Sequence, residues 1–150
     1  MNEVRINHKR LFIFGTVSGL LWSLIPGYLS ELIYSSVGQT TTVLITGVLT
    51  GITVSALLAL PLVWLRMKGI IALGIVALPI GAFLFGFFIS LLQKAVQLLI
   101  GPTYRFVEYQ FAPVEAGLNY AFFSVTYFAL ILIPLALVTT SLFYLNVIDD

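Results

Sequence analysis

The chain has 150 residues, 60% hydrophobic and only 9% charged, with a net charge of +1. Soluble domains average roughly 25% charged residues, so a water-soluble globule is excluded, whereas a bilayer would solvate the apolar surface. The charge also argues against a nucleic-acid partner, because no Lys/Arg-rich face is present to neutralise phosphates, and the lack of cysteine excludes disulfides, thiol redox chemistry and Cys-ligated metals.

Four runs contain no Asp, Glu, Lys or Arg: Leu11–Ser30, Leu32–Leu65, Gly69–Gln93 and Ala116–Ile148. A spanning helix needs about 20 mostly apolar residues, so each run can cross a membrane. The predicted fold is all-α. It is an integral membrane four-helix bundle made of two antiparallel transmembrane hairpins, a single transmembrane domain over 1–150.

The first predicted span covers 11–33. Arg5, Lys9 and Arg10 precede it as in a signal peptide, but the apolar run to Pro26 is too long for an h-region. No A-x-A-like cleavage site follows, and a retained span is expected. His8, the single histidine, lies beside Asn7, Lys9 and Arg10, where a headgroup contact is expected. Without Cys or carboxylate neighbours it makes a poor metal site. Gly15, Gly19, Ser23 and Gly27 then recur at every fourth position. Lipid supplies no hydrophobic drive between helices, so close backbone approach over such small residues is what holds them together. The stripe drifts about 40° per step around the helix, which suits a right-handed crossing.

The second span, 41–65, follows a short outer loop at 34–40 and carries a matching stripe, Gly47, Gly51, Ser55 and Ala59. The two stripes are expected to meet within the chain; a homodimer face or a glycine-lined passage are the alternatives. A separate face holds Thr42, Thr46, Thr50 and Thr53 within about 80° of arc. Threonine hydroxyls inside a helix bond back to a carbonyl one turn earlier; the sharper alternatives are a hydroxyl-lined groove, a pore wall or a bond to another helix. With two faces turned from lipid, span 2 is the expected central helix. Trp64, beside Arg66 and Lys68, fits an interfacial anchor.

The turn Arg66–Gly69 is so tight that spans 2 and 3 must be antiparallel neighbours. Span 3 covers 70–92, with an amphipathic continuation to Ile100 that Gly101-Pro102 ends. The outer loop 93–117 follows, and its stretch from Tyr104 to Phe111 alternates aromatic with polar residues. It is expected to cap the bundle at headgroup level. The alternative is a docking surface for a partner or lipid, built from Tyr104, Arg105, Glu108, Tyr109 and Glu115. Span 4 covers 118–145. Pro61, Pro79 and Pro134 interrupt spans 2, 3 and 4, freeing carbonyls that neighbours re-satisfy. The resemblance of Ala56–Leu62 to Ala129–Leu135 hints at a parallel repeat of two hairpins.

If four spans alternate, Arg5, Lys9, Arg10, Arg66 and Lys68 share one side, leaving Lys94 and Arg105 on the other. Basic residues in short loops set orientation, so both termini are expected in the cytoplasm, with the chain in the cell (plasma or inner) membrane.

No catalytic, cofactor or metal residue is assigned. G-x-S-x-G, H-E-x-x-H, P-loop and dinucleotide fingerprints are missing, as are lipidation signals. A proton-coupled small multidrug transporter would carry a membrane-embedded carboxylate, and a quinone-linked disulfide oxidase would carry cysteines; neither is present. The expected role is a non-enzymatic accessory or assembly subunit that binds other membrane components. Its partners would be the lipid bilayer and a membrane protein or a second copy of the chain. The alternative is a small oligomeric transporter or channel for a neutral or apolar solute, because no counter-charge exists inside the spans. An enzyme acting on lipids at the outer interface would rest on Arg105, Glu108 and Glu115 alone.

Overall fold

The structure, a computed structural model, describes residues 5–31, 37–100 and 112–149. Helix α1 (His8–Glu31) opens on a side-chain cap. Asn7 Oδ1 accepts the Arg10 N–H at 3.1 Å and the Asn7 carbonyl accepts the Leu11 N–H at 2.8 Å. Such a cap satisfies N–H groups that a helix start otherwise leaves orphaned. The Asn7 N–H in turn donates to the Val147 carbonyl at 3.0 Å, and Arg5–Ile6 (β1) pairs antiparallel with Ile148–Asp149 (β2). This small bridge, unexpected from the sequence, ties the start of α1 to the end of the last helix.

Helix α2 (Val37–Leu65) runs on through Pro61. A 3₁₀ turn at Arg66–Gly69 reverses the chain into α3 (Ile70–Ile100), which passes Pro79 without a break and includes the amphipathic continuation. The reversal places Arg66 at φ 51°, a left-handed conformation that costs an L-residue about 1–2 kcal/mol.

The segment expected as one span over 118–145 is two helices, α4 (Pro113–Tyr127) and α5 (Ala129–Val147). They part at Phe128 (φ −118°, ψ 4°), and Pro134 lies within α5 rather than at the interruption. The Phe128 carbonyl accepts N–H groups from Ile131 at 3.0 Å and Leu132 at 2.9 Å, so it closes the first turn of a new helix. Pro134 therefore removes a bond only inside a helix already begun. Helix α4 starts on Pro113, where a missing N–H is harmless, and the Ala112 carbonyl accepts the Ala116 N–H at 2.9 Å.

Three of these helices contain stretches long and apolar enough to cross a membrane: Thr41–Leu65, Ile70–Leu99 and Ala129–Val147. Helix α1 lies on α2, α2 on α3, α3 on both α4 and α5, and α5 returns to α1. At the end that holds both termini, Leu58, Leu62, Phe143 and Val147 form the main core, with Leu11, Phe14 and Ile70 against it. Phe14 and Phe143 meet edge to face at 5.4 Å, a favoured aromatic geometry. That core gathers the start of α1, the α2–α3 turn and the end of α5, so Lys9, Arg10, Arg66 and Lys68 share one end of the molecule. A second cluster near the opposite end joins Val43, Phe85 and Ile89 to Tyr120. Outward faces are apolar: Leu60, Trp64, Leu98 and Leu130 are largely exposed.

Candidate functional site

The α1–α2 contact is backbone on backbone. A Cβ added to Gly15 would lie 2.8 Å from Ile52 Cα, and one on Gly51 would lie 2.6 Å from Gly19 Cα. One on Gly47 would sit 2.5 Å from the Gly19 carbonyl oxygen, and one on Gly19 would strike the Gly47 carbonyl. None of these positions admits a side chain unless the helices separate. Ser23 is buried where Gly47 approaches it, and its hydroxyl donates to the Leu20 carbonyl at 2.7 Å. Ser55 and Ala59 are buried as well. Gly27 belongs to α1, but its surroundings lie outside the described residues.

A second close approach, absent from the sequence reading, joins α3 to α4. A Cβ on Gly86 would lie 2.6 Å from the Ala116 carbonyl oxygen, and one on Gly117 would lie 2.8 Å from the Phe83 carbonyl oxygen. The signal was available, since Ala82, Gly86 and Ser90 recur at every fourth position. Between α1 and α5 the link is polar. Trp22 Nε1 donates to Thr139 Oγ1 at 3.1 Å, and that hydroxyl donates onward to the Leu135 carbonyl at 2.8 Å.

The threonine face divides. Thr46 donates to the Thr42 carbonyl at 2.7 Å and Thr53 to the Leu49 carbonyl at 2.8 Å, each bond reaching one turn back. Thr42, Thr46 and Thr50 are buried. The Thr50 hydroxyl, unlike those of Thr46 and Thr53, has no hydrogen-bond partner among the described residues, and neither does Gln93 Oε1 in α3. Of the outer-loop residues, Tyr104, Arg105, Glu108 and Tyr109 lie outside the described residues. Glu115 is exposed in the first turn of α4, where its carboxylate accepts the Ala112 N–H at 3.4 Å. Among the described residues no group of His, Asp or Glu is placed to hold a metal ion.

All five helices line one partly open cavity of about 440 Å³, within the range of about 300–1,000 Å³ typical of ligand pockets. Trp22 comes from α1, Thr50 from α2, Gly81 and Phe85 from α3, Tyr120 from α4 and Leu132 from α5. Among the described residues no charged side chain lines it, and its polar side chains there are hydroxyls, the Trp22 indole and the Asn119 amide. It arises because α4 packs on α3 while α1 packs on α2 and α5, which spreads the helices around a common centre. Gly81 stands apart from the glycines above: a Cβ there would meet only Val54 Cγ2, at 3.8 Å. No backbone contact requires glycine at this position, and its bare Cα widens the cavity. The chain matches no protein-family model, and no curated protein or solved structure is significantly similar to it.

Proposed function

We propose that the protein is a non-enzymatic, multi-pass membrane protein that acts by binding another membrane component, as an accessory or assembly subunit. In this reading α1, α2, α3 and the bent α4–α5 unit are the four crossings of one bundle. Both termini lie in the cytoplasm, because Lys9, Arg10, Arg66 and Lys68 share the end that holds the termini and basic loops stay inside. The uncharged, partly open cavity carries the functional reading. A space of this chemistry, enclosed by helices with apolar outer faces, favours uncharged, bilayer-soluble matter over ions, which would find no counter-charge.

Purification from native membranes in mild detergent tests this, with protein and lipid partners both identified by mass spectrometry. A stoichiometric protein or lipid companion is expected; recovery of bare monomers would overturn the reading. A second reading, passage of a neutral solute, is favoured by the unpartnered Thr50 hydroxyl in the cavity wall. Cysteine scanning over Thr42–Thr53 separates the two: reaction of these positions with a water-borne thiol reagent supports passage, and protection of all of them rules it out.

A further inference from the structure

We propose that the cavity binds an uncharged, long-chain lipophile bearing a hydroxyl or carbonyl oxygen, and that Thr50 is the residue that recognises that oxygen. The inference rests on the membrane-component reading above and names the chemical class of the component.

Two independent observations carry it. The first is Gly81. Where Gly15, Gly19, Gly47, Gly51, Gly86 and Gly117 are each pressed against a neighbouring helix, a Cβ at Gly81 would make only an ordinary contact, with Val54 Cγ2 at 3.8 Å, and the residue lines the cavity. Glycine is the poorest helix former after proline, so its presence in the middle of α3 is explained by the volume it leaves empty. The second is Thr50. The residue is 9% exposed and lines the same cavity, and its hydroxyl has no hydrogen-bond partner among the described residues. An unpaired buried hydroxyl is costly. Thr46 and Thr53 on the same helix avoid that cost by bonding to the carbonyl four residues back, yet Thr50 does not. The oxygen is itself covered, and a step to another staggered well of χ1 would re-aim it; in the proposed complex a cavity occupant draws it into that orientation.

The remaining lining defines the rest of the ligand. Phe85, Leu78 and Leu132 offer apolar contact along its length, and among the described residues no Lys, Arg, Asp or Glu touches the space. A charged headgroup therefore has no place inside. Water alone does not suit the cavity either, since an ordered water needs two to four polar partners and most of this wall is hydrocarbon. Thr50 lies well inside the apolar stretch Thr41–Leu65, so the matching oxygen must be one that tolerates the bilayer interior without charge. A hydroxyl or carbonyl on a hydrocarbon chain meets that condition.

The test uses the full chain in lipid nanodiscs and a diazirine-bearing long-chain fatty alcohol as the probe, with labelled peptides mapped by mass spectrometry. Competitors are the unlabelled alcohol and the alkane of equal length. Labelling is expected on cavity-wall residues such as Trp22, Phe85 and Tyr120, with the alcohol competing roughly tenfold better than the alkane, the worth of one net hydrogen bond. Thr50→Val keeps the shape and should erase that preference while leaving alkane competition unchanged. Gly81→Leu fills the space and should abolish cavity labelling by the alcohol probe. If alcohol and alkane compete equally and Gly81→Leu blocks labelling, the cavity still takes a membrane component but the role of Thr50 is wrong. If labelling falls only on lipid-facing residues such as Leu60 and Leu130 and ignores Gly81→Leu, both the inference and its use of the cavity fail.

Discussion

The α1–α2 pair and the α3–α4–α5 half use the same small residues to opposite ends. Along α1 and α2 the glycines lie opposite one another, backbone touches backbone, and no room remains between the helices. In the other half, Gly86 and Gly117 draw α4 onto α3, but the chain bends at Phe128 and Gly81 meets no backbone, only the Val54 side chain at contact distance. The α1–α2 contact is a closed seam, whereas the chamber is walled by both halves, with Gly19, Gly47 and Gly51 of the seam and Gly81 of α3 all in its lining. A glycine in a membrane helix thus has no fixed meaning: it permits contact where a partner backbone arrives and makes a cavity where none does.

Substitutions can sharpen or break this contrast. The largest effect is expected from Gly19→Leu combined with Gly47→Leu, which forces the seam apart. Overpacking at one such site costs about 1–3 kcal/mol, and the pair should prevent recovery of a monodisperse species in size-exclusion chromatography. Gly86→Leu should cost about 1–3 kcal/mol by the same mechanism, lowering the thermal midpoint in detergent while leaving engineered α1–α2 cross-links intact. If Gly86→Leu loosens α1–α2 as readily as α3–α4, the two halves are not separate packing units. Gly81→Ala should act in the opposite sense. It gains helix propensity of up to about 0.8–1.0 kcal/mol and meets no clash, so the midpoint should rise; a fall would mean the space around Gly81 is not there. Trp22→Phe should have the smallest effect, about 0.6 kcal/mol, the average worth of an interhelical hydrogen bond in a membrane protein. Thr139→Val should give a matching loss that does not add to it.

The sequence exposed those features that belong to one helix at a time. The bodies of α2 and α3 could be read from charge-free runs bounded by Arg66, Lys68 and Lys94. The small-residue faces of α1 and α2 could be read because the four-residue spacing is uninterrupted on each. What stayed hidden depends on two or more helices together. Phe128 has no local breaking signal, whereas Pro134, the stronger helix breaker by residue type, lies inside α5. The Gly86 contact requires knowing that Ala116 arrives opposite. Thr50 shares spacing and residue type with Thr46 and Thr53, and nothing in the sequence indicates that its hydroxyl alone among those three is left without a partner. The cavity is set by the divergence of α4 from α1, which composition cannot encode.

Native mass spectrometry of the chain released from membranes addresses the chamber most directly. The wild-type protein should retain one lipophilic molecule, and Gly81→Leu should lose it while keeping the same oligomeric state and an equal or higher thermal midpoint. A bound molecule that persists in Gly81→Leu, or a wild-type protein that carries none, would contradict the chamber as a binding site.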